Sequence, residues 1–173
     1  MNLVIDIGNT KTKYGVFNGS SILDSGYAEG LKLEELLNKF PIENSIICSV
    51  AGQEQEIEEK LKQSTKYIEF TAKTPVPIKN LYQTQNTLGS DRLAAAIGAQ
   101  AQFPNTDTLI IDTGTCIKYN FVNKSGEYHG GGISPGIDMR FKALKNFTHK
   151  LPEITADYNF DTLIGNDTQR SIL

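Results

Sequence analysis

The chain has no tryptophan, only two cysteines and only two histidines among its 173 residues. Each shortage closes off a class of chemistry. Cys48 and Cys116 cannot build the dense disulfide framework of a small secreted domain. Both fall in segments that read as strands, so they are read as reduced core residues, which fits a cytoplasmic location. His129 and His149 are too few and too isolated for a zinc site, and His149 reads as a solvated residue at a helix end. Long apolar runs are missing, so no membrane-spanning segment is expected, and the chain starts on a strand without a signal-peptide pattern. Net charge is −3, which leaves no broad basic surface and argues against a nucleic-acid partner. What is present, 39% hydrophobic and 21% charged residues, suits a soluble protein with a substantial core in one or two domains.

One short pattern occurs twice. Leu3-Val4-Ile5-Asp6-Ile7-Gly8-Asn9-Thr10 is an apolar run ending in aspartate, glycine and threonine, and Leu109-Ile110-Ile111-Asp112-Thr113-Gly114-Thr115 repeats it. Asn2–Ile5 reads as a short buried strand, with Asp6 at its carboxyl end. A carboxylate there can hold Mg²⁺, directly or through water. Gly8 lets the backbone approach an anion, Asn9 and Thr10 add donors, and successive turn N–H groups form an anion-binding concavity. Either copy alone reads equally as an ordinary strand end closed by Asp and Gly. Together they carry more weight. Lys13-Tyr14 follows the first turn and Lys118-Tyr119 the second, and Asn9 is the extra residue. Asn18-Gly19 is a hairpin signal. Third strands are expected over Ser21–Tyr27 and Glu127–Gly132, so each half opens on a three-stranded meander.

Between the meanders, Leu31–Phe40 has helical spacing and stops at Pro41. Ser45–Val50 reads as a strand, Gln53–Gln63 as an amphipathic helix and Lys66–Phe70 as a strand. This β-β-β-α-β-α-β order implies a mixed sheet with helices on its faces. Ala72–Thr87, with Pro75 and Pro77, reads as a linker, lid or substrate loop. Asp91–Phe103 is an alanine-rich helix stopped by Pro104. The expected domains are 1–104 and 105–173. In the second, Gly136–Lys150 reads as a helix, Pro152–Asn159 as extended and Asp161–Leu173 as the start of a helix. The second half is shorter than the first, and the expectation is an incomplete second domain.

Two further segments carry chemistry. Gly89-Ser90-Asp91-Arg92 precedes the alanine-rich helix. Ser90 suits its N-cap and Asp91 its first turn. The same residues also suit a site in which Asp91 is a general base toward a hydroxyl and Arg92 binds a carboxylate in bidentate fashion. Gly130-Gly131-Gly132-Ile133-Ser134-Pro135-Gly136 brings glycines to a helix start. It serves equally for close ligand approach or for a tight turn.

The four segments, in this order, resemble the type III pantothenate kinase family over essentially the whole chain. The resemblance implies an α/β fold of duplicated ribonuclease-H-like domains, as in actin and the sugar and acetate kinases, with mixed sheets and helices on both faces. It implies ATP-dependent phosphorylation of pantothenate to 4′-phosphopantothenate, the first committed step toward coenzyme A. By that likeness Asp6, Ile7, Gly8, Asn9, Thr10, Lys11, Thr12 and Lys13 form the first phosphate loop, with Asp6 near Mg²⁺ through water. Thr115 matches a nucleotide-phosphate contact. Tyr82, Gly89, Ser90, Asp91 and Arg92 meet pantothenate, with Asp91 as proton acceptor. Thr168 matches a threonine that reaches pantothenate across the boundary of a homodimer. Asp112 matches the ligand of a monovalent cation, K⁺ or NH₄⁺. Gln85 stands where proline is common, and Asn120 where aspartate is common. A non-catalytic nucleotide-binding or regulatory module of the same fold is the alternative, and Asp91 discriminates, because a sensor needs no base.

Overall fold

The computed structural model describes residues 1–27, 33–52, 55–159 and 161–173. Its chain divides into two compact units. One comprises Met1–Thr108 with Phe121–Gly130, the other Leu109–Asn120 with Gly131–Leu173.

The first unit opens with β1 (Asn2–Ile7), β2 (Thr12–Asn18), β3 (Ser21–Tyr27), α1 (Leu33–Lys39), β4 (Asn44–Ser49), α2 (Gln55–Ser64) and β5 (Lys66–Phe70). Their sheet has the order β3-β2-β1-β4-β5. The β1–β2 and β2–β3 pairs are antiparallel, while β1–β4 and β4–β5 are parallel. The hairpin between β2 and β3 turns at Gly19, whose φ of 58° suits glycine. Leu31 and Gln53, expected to begin the two helices, lie outside the described residues.

Alternation in β1 decides which face is covered. Leu3, Ile5 and Ile7 join Val16, Ile47, Leu33, Leu36 and Leu61 in one buried cluster, so α1 and α2 pack on that face. Glu34 and Glu35 in the first turn of α1 and Lys39 in its last complement the helix dipole. Asp6 and Cys48 are register partners on the opposite face.

The unit continues through β6 (Lys79–Asn80), a single 3₁₀ turn at Gln85–Thr87 and α3 (Ser90–Gln102). The helix begins one residue earlier than expected, and Gly89, not Ser90, occupies its N-cap. The Ser90 hydroxyl has left the capping role for partners on β4. β6 pairs in parallel with β9 (Glu127–Gly130), which is antiparallel to the end of β8 (Cys116–Val122).

In the second unit, β7 (Thr108–Thr113) pairs with β8, and β8 pairs antiparallel with β10 (Ile133–Pro135). The expected strand over Glu127–Gly132 ends early. Gly130 and Gly131 have φ of 90° and 155°, and a side chain at Gly131 would collide with the Tyr119 carbonyl. Helices α4 (Ile137–Phe147) and α5 (Thr168–Ile172) follow. The expected helix from Asp161 therefore starts only at Thr168. Asp167 caps it, its carboxylate accepting the Arg170 N–H at 2.8 Å. No regular strand forms over residues 152–159. Among the described residues no helix is long and apolar enough to cross a membrane.

Tyr67 on β5 marks a local electrostatic constraint. Its hydroxyl is enclosed, with no hydrogen-bond partner among the described residues. Burial, reinforced by the Glu58 and Glu69 carboxylates, pushes the phenol up from its usual 10.0 to about 12. The folded chain therefore keeps a proton that the unfolded chain loses between those values. Stability falls as pH rises across that window. Tyr67→Phe should flatten this decline and leave stability near pH 7 unchanged or slightly raised, since no hydrogen bond is lost. Denaturant titrations near neutrality and at about pH 11 check it.

Candidate active site

Asp6 stands at the carboxyl end of β1, where the sheet switches from antiparallel to parallel pairing. In open α/β sheets ligands gather outside the carboxyl ends of the strands. Asp6 pairs in register with Lys13, and Ile7 with Thr12, so the residues from Asp6 to Lys13 form one hairpin. Its turn is closed by the Gly8 N–H donating to the Lys11 carbonyl at 3.1 Å. That donor is committed within the turn, while Asn9, Thr10 and Lys11 are exposed. Ile7 buries its side chain in the core and offers the turn only its backbone. Residues Ile7 to Thr12, with Ala51 and Gly52 after β4, line a cavity of about 200 Å³. The Lys11 ammonium lies 4.6 Å from the Tyr27 ring centroid, a cation–π contact that restrains a flexible side chain.

Asp6, the residue before this lining begins, carries one half-buried carboxylate. Among the described residues no three His, Cys, Asp or Glu side chains gather to hold a metal. That donor set fits Mg²⁺, which keeps several waters and takes one or two carboxylates together with substrate phosphates.

The Gly89–Arg92 segment is joined to the strand beside this turn, β4, by two contacts of Ser90. Cys48, the register partner of Asp6, places its Sγ 3.3 Å from the Ser90 Oγ, and Ser90 also donates to the Ser49 carbonyl at 3.4 Å. The start of α3 is thereby fixed beside the strand that neighbours Asp6. Asp91 follows, half-buried, with one carboxylate oxygen accepting the Arg92 N–H at 2.8 Å. A side chain at Gly89 would lie 2.5 Å from that same oxygen, so glycine leaves the space that the Asp91 carboxylate occupies.

Arg92 is 4% exposed. Its guanidinium carbon lies 5.6 Å from the Tyr82 ring centroid. Tyr82 stacks in turn on Tyr128, with centroids 6.4 Å apart and planes 25° from parallel. Tyr128 on β9 is fully buried. Burial holds its phenol proton more firmly than usual. The Arg92 charge pulls the other way, and Tyr82 and Asp91 add to the upward push. The loop bearing Tyr82 is tied to β9 by the Leu81 N–H donating to the Tyr128 carbonyl at 2.9 Å. Asn80 accepts the Tyr82 N–H at 3.0 Å, and the Gln85 amide donates to the Asn80 carbonyl at 3.1 Å. Gln85 thus restrains the loop by a hydrogen bond where a proline would do so by its ring.

The second unit holds the other turn. Gly114 donates to the Cys116 carbonyl at 3.0 Å, and Gly136 to the Thr115 carbonyl at 3.0 Å. A side chain at Gly136 would collide with the Gly114 carbonyl. Thr115 is exposed and Asn120 fully buried. Thr168 opens α5 and helps to line a cavity of about 660 Å³ with Leu144, Leu151 and Ser171. Asp112 forms an ion pair with Lys118, whose Nζ lies 2.7 Å from Oδ2. The monovalent cation that the family resemblance assigns to Asp112 does not fit this arrangement, because a protein ammonium already neutralises the carboxylate.

The sequence matches the type III pantothenate kinase family over residues 2–173. The chain belongs to that family. It is 42% identical to the type III pantothenate kinase of Bacteroides fragilis, and the match covers 99% of this chain and 72% of that relative. It is 43% identical to the family member of Phocaeicola vulgatus and 38% identical to that of Flavobacterium johnsoniae, with the same coverage in both. A crystal structure of a conserved Baf family protein from Campylobacter jejuni, described as a transcriptional activator, is similar with a TM-score of 0.58 at 20% identity. It matches 98% of this chain and 71% of its own. At that identity the likeness is one of fold.

Within this family member, three residues of the clusters above escaped the sequence reading. Cys48 passed as ordinary strand core and Lys118 as half of a repeated Lys-Tyr pair. Tyr128 passed as a strand residue, though an aromatic side chain before a glycine run is a signal of close packing. Gly130 tests the Tyr82 stack directly. A methyl group there would lie 2.9 Å from Tyr82 Cδ2, on a backbone with φ of 90°. Gly130→Ala should destabilise the chain by about 1–3 kcal/mol and alter its near-ultraviolet tyrosine dichroism. Thermal unfolding and circular dichroism measure both.

Proposed function

We propose that this chain transfers the γ-phosphoryl group of ATP to the primary hydroxyl of pantothenate, giving 4′-phosphopantothenate at the head of coenzyme A biosynthesis. The carrying observation is the Asp6–Cys48–Ser90 junction. It joins an anion-ready turn to a helix start bearing a carboxylate and a buried arginine. Strand order β3-β2-β1-β4-β5 supports a ribonuclease-H-like first domain. The second Asp-Gly-Thr turn supports a related second domain, as in the actin and sugar kinase fold.

In this reading, Asn9, Thr10 and Lys11 meet the phosphate chain from the first turn, and the family resemblance gives Thr115 the role of a nucleotide-phosphate contact. Mg²⁺, when bound near Asp6 through water, supplies charge neutralisation at the phosphates. Arg92, backed by Tyr82, takes the pantothenate carboxylate in bidentate fashion, which orients the far end of the substrate. Asp91 then meets the hydroxyl. As the hydroxyl oxygen bonds to the γ-phosphorus, the bond from that phosphorus to the bridging oxygen of ADP breaks, and the hydroxyl proton passes to the Asp91 carboxylate. Ser90 is a positioning residue, since its hydroxyl is spent on β4. The family resemblance also supplies a cytoplasmic homodimer in which Thr168 serves the partner's site.

A non-catalytic nucleotide module would have no use for a base at the helix start, so Asp91 decides between the readings. Asp91→Asn should lower kcat by about 10²–10⁴-fold while pantothenate affinity stays close to that of the parent chain. Steady-state ADP release with pantothenate as acceptor, beside calorimetric binding, measures both. An unchanged kcat would remove Asp91 as base.

A further inference from the structure

We propose that the Lys118 ammonium takes the place of a monovalent cation at the second phosphate turn, so that phosphoryl transfer by this chain needs neither potassium nor ammonium. The inference rests on the pantothenate kinase reading and concerns only the charge balance at Asp112. Lys118 lies on β8 opposite Ile133 of β10. Its side chain is 22% exposed, so its stem is packed and its ammonium is delivered to a defined place. The Nζ–Oδ2 separation of 2.7 Å is that of a short charge-assisted hydrogen bond. The turn between the pair is closed by the Gly114 N–H donating to the Cys116 carbonyl. Asp112 and Lys118 therefore belong to one hairpin and meet without a distant element.

Charge arithmetic gives the pair its meaning. A bare carboxylate beside the Gly114-Thr115 turn would repel an incoming triphosphate. One positive charge removes that repulsion, and a free cation or a tethered ammonium supplies the same unit. The tethered group is present at high effective concentration whatever the salt. It also disfavours a second cation on the same carboxylate, because two positive charges would sit within a few ångströms of each other.

The test uses the full chain at constant ionic strength in potassium, ammonium, sodium and choline chloride, reading both pantothenate phosphorylation and ATP affinity. The parent should show rates and ATP affinities within about twofold across the four salts. Lys118→Met should lose about tenfold or more in choline and recover with potassium or ammonium. Lys118→Gln is the companion should the methionine variant fold poorly. A parent chain activated about tenfold by potassium over choline overturns the inference, as do Lys118 variants that match the parent in choline. If no salt supports phosphorylation, the pantothenate reading fails, and ATP affinity alone decides the inference: equal binding in potassium and choline sustains it, and tighter binding in potassium overturns it.

Discussion

The register of β1 against β4 is the constraint on which the rest of the first unit depends. It sets Asp6 beside Cys48, and the Cys48 thiol meets the Ser90 hydroxyl at the start of α3. A shift of one residue in that pairing would turn Asp6 toward the aliphatic cluster and carry Leu3, Ile5 and Ile7 to the other face. The core thus enforces the chemistry. Apolar side chains on one face of β1 hold the acidic side chain on the other, at the end where the chain turns back.

A second layer of organisation is aromatic. Arg92 is a buried cation, and burying a cation costs heavily unless its surroundings compensate. The Tyr82 face gives partial compensation, and Tyr128 holds that face in place from beneath. Gly130 leaves room for Tyr82. The Arg92 guanidinium therefore inherits its position from two rings and a glycine, two of which lie far from it in sequence. Lys118 and Asp112 show the opposite economy, since both belong to one hairpin and need no distant support.

Much of this could be read from the residues in order. Apolar alternation, Asn18-Gly19 and Pro41 located the first sheet and helix, and the Asp-Gly turns stood out by repetition. These features are local, and local preference survives folding. The start of α3 was displaced by one residue because a tertiary contact outbid capping: Ser90 had β4 to bind. The helix expected from Asp161 was delayed to Thr168, since Asp167 rather than Asp161 caps it, and Gly165 packs against the backbone of Arg170 and Ser171. Cys48, Tyr128 and Lys118 drew no attention as site residues because nothing beside them in sequence announces their partners. Cys48 meets a residue on a distant helix, Tyr128 meets a ring on a distant loop, and Lys118 meets its carboxylate only across a closed turn.

The two-residue strand β6 has a consequence for the order in which the molecule is made. It is held by β9, so the loop that carries Tyr82 has no lasting shape until the residues of β9 have left the ribosome. The sheet β3-β2-β1-β4-β5, by contrast, is complete once Phe70 emerges. Contacts between residues far apart in sequence form late, because a long loop must close first. The acidic hairpin of β1 and β2 thus has a finished scaffold early in synthesis, while the loop that carries Tyr82 waits for a segment translated well after it.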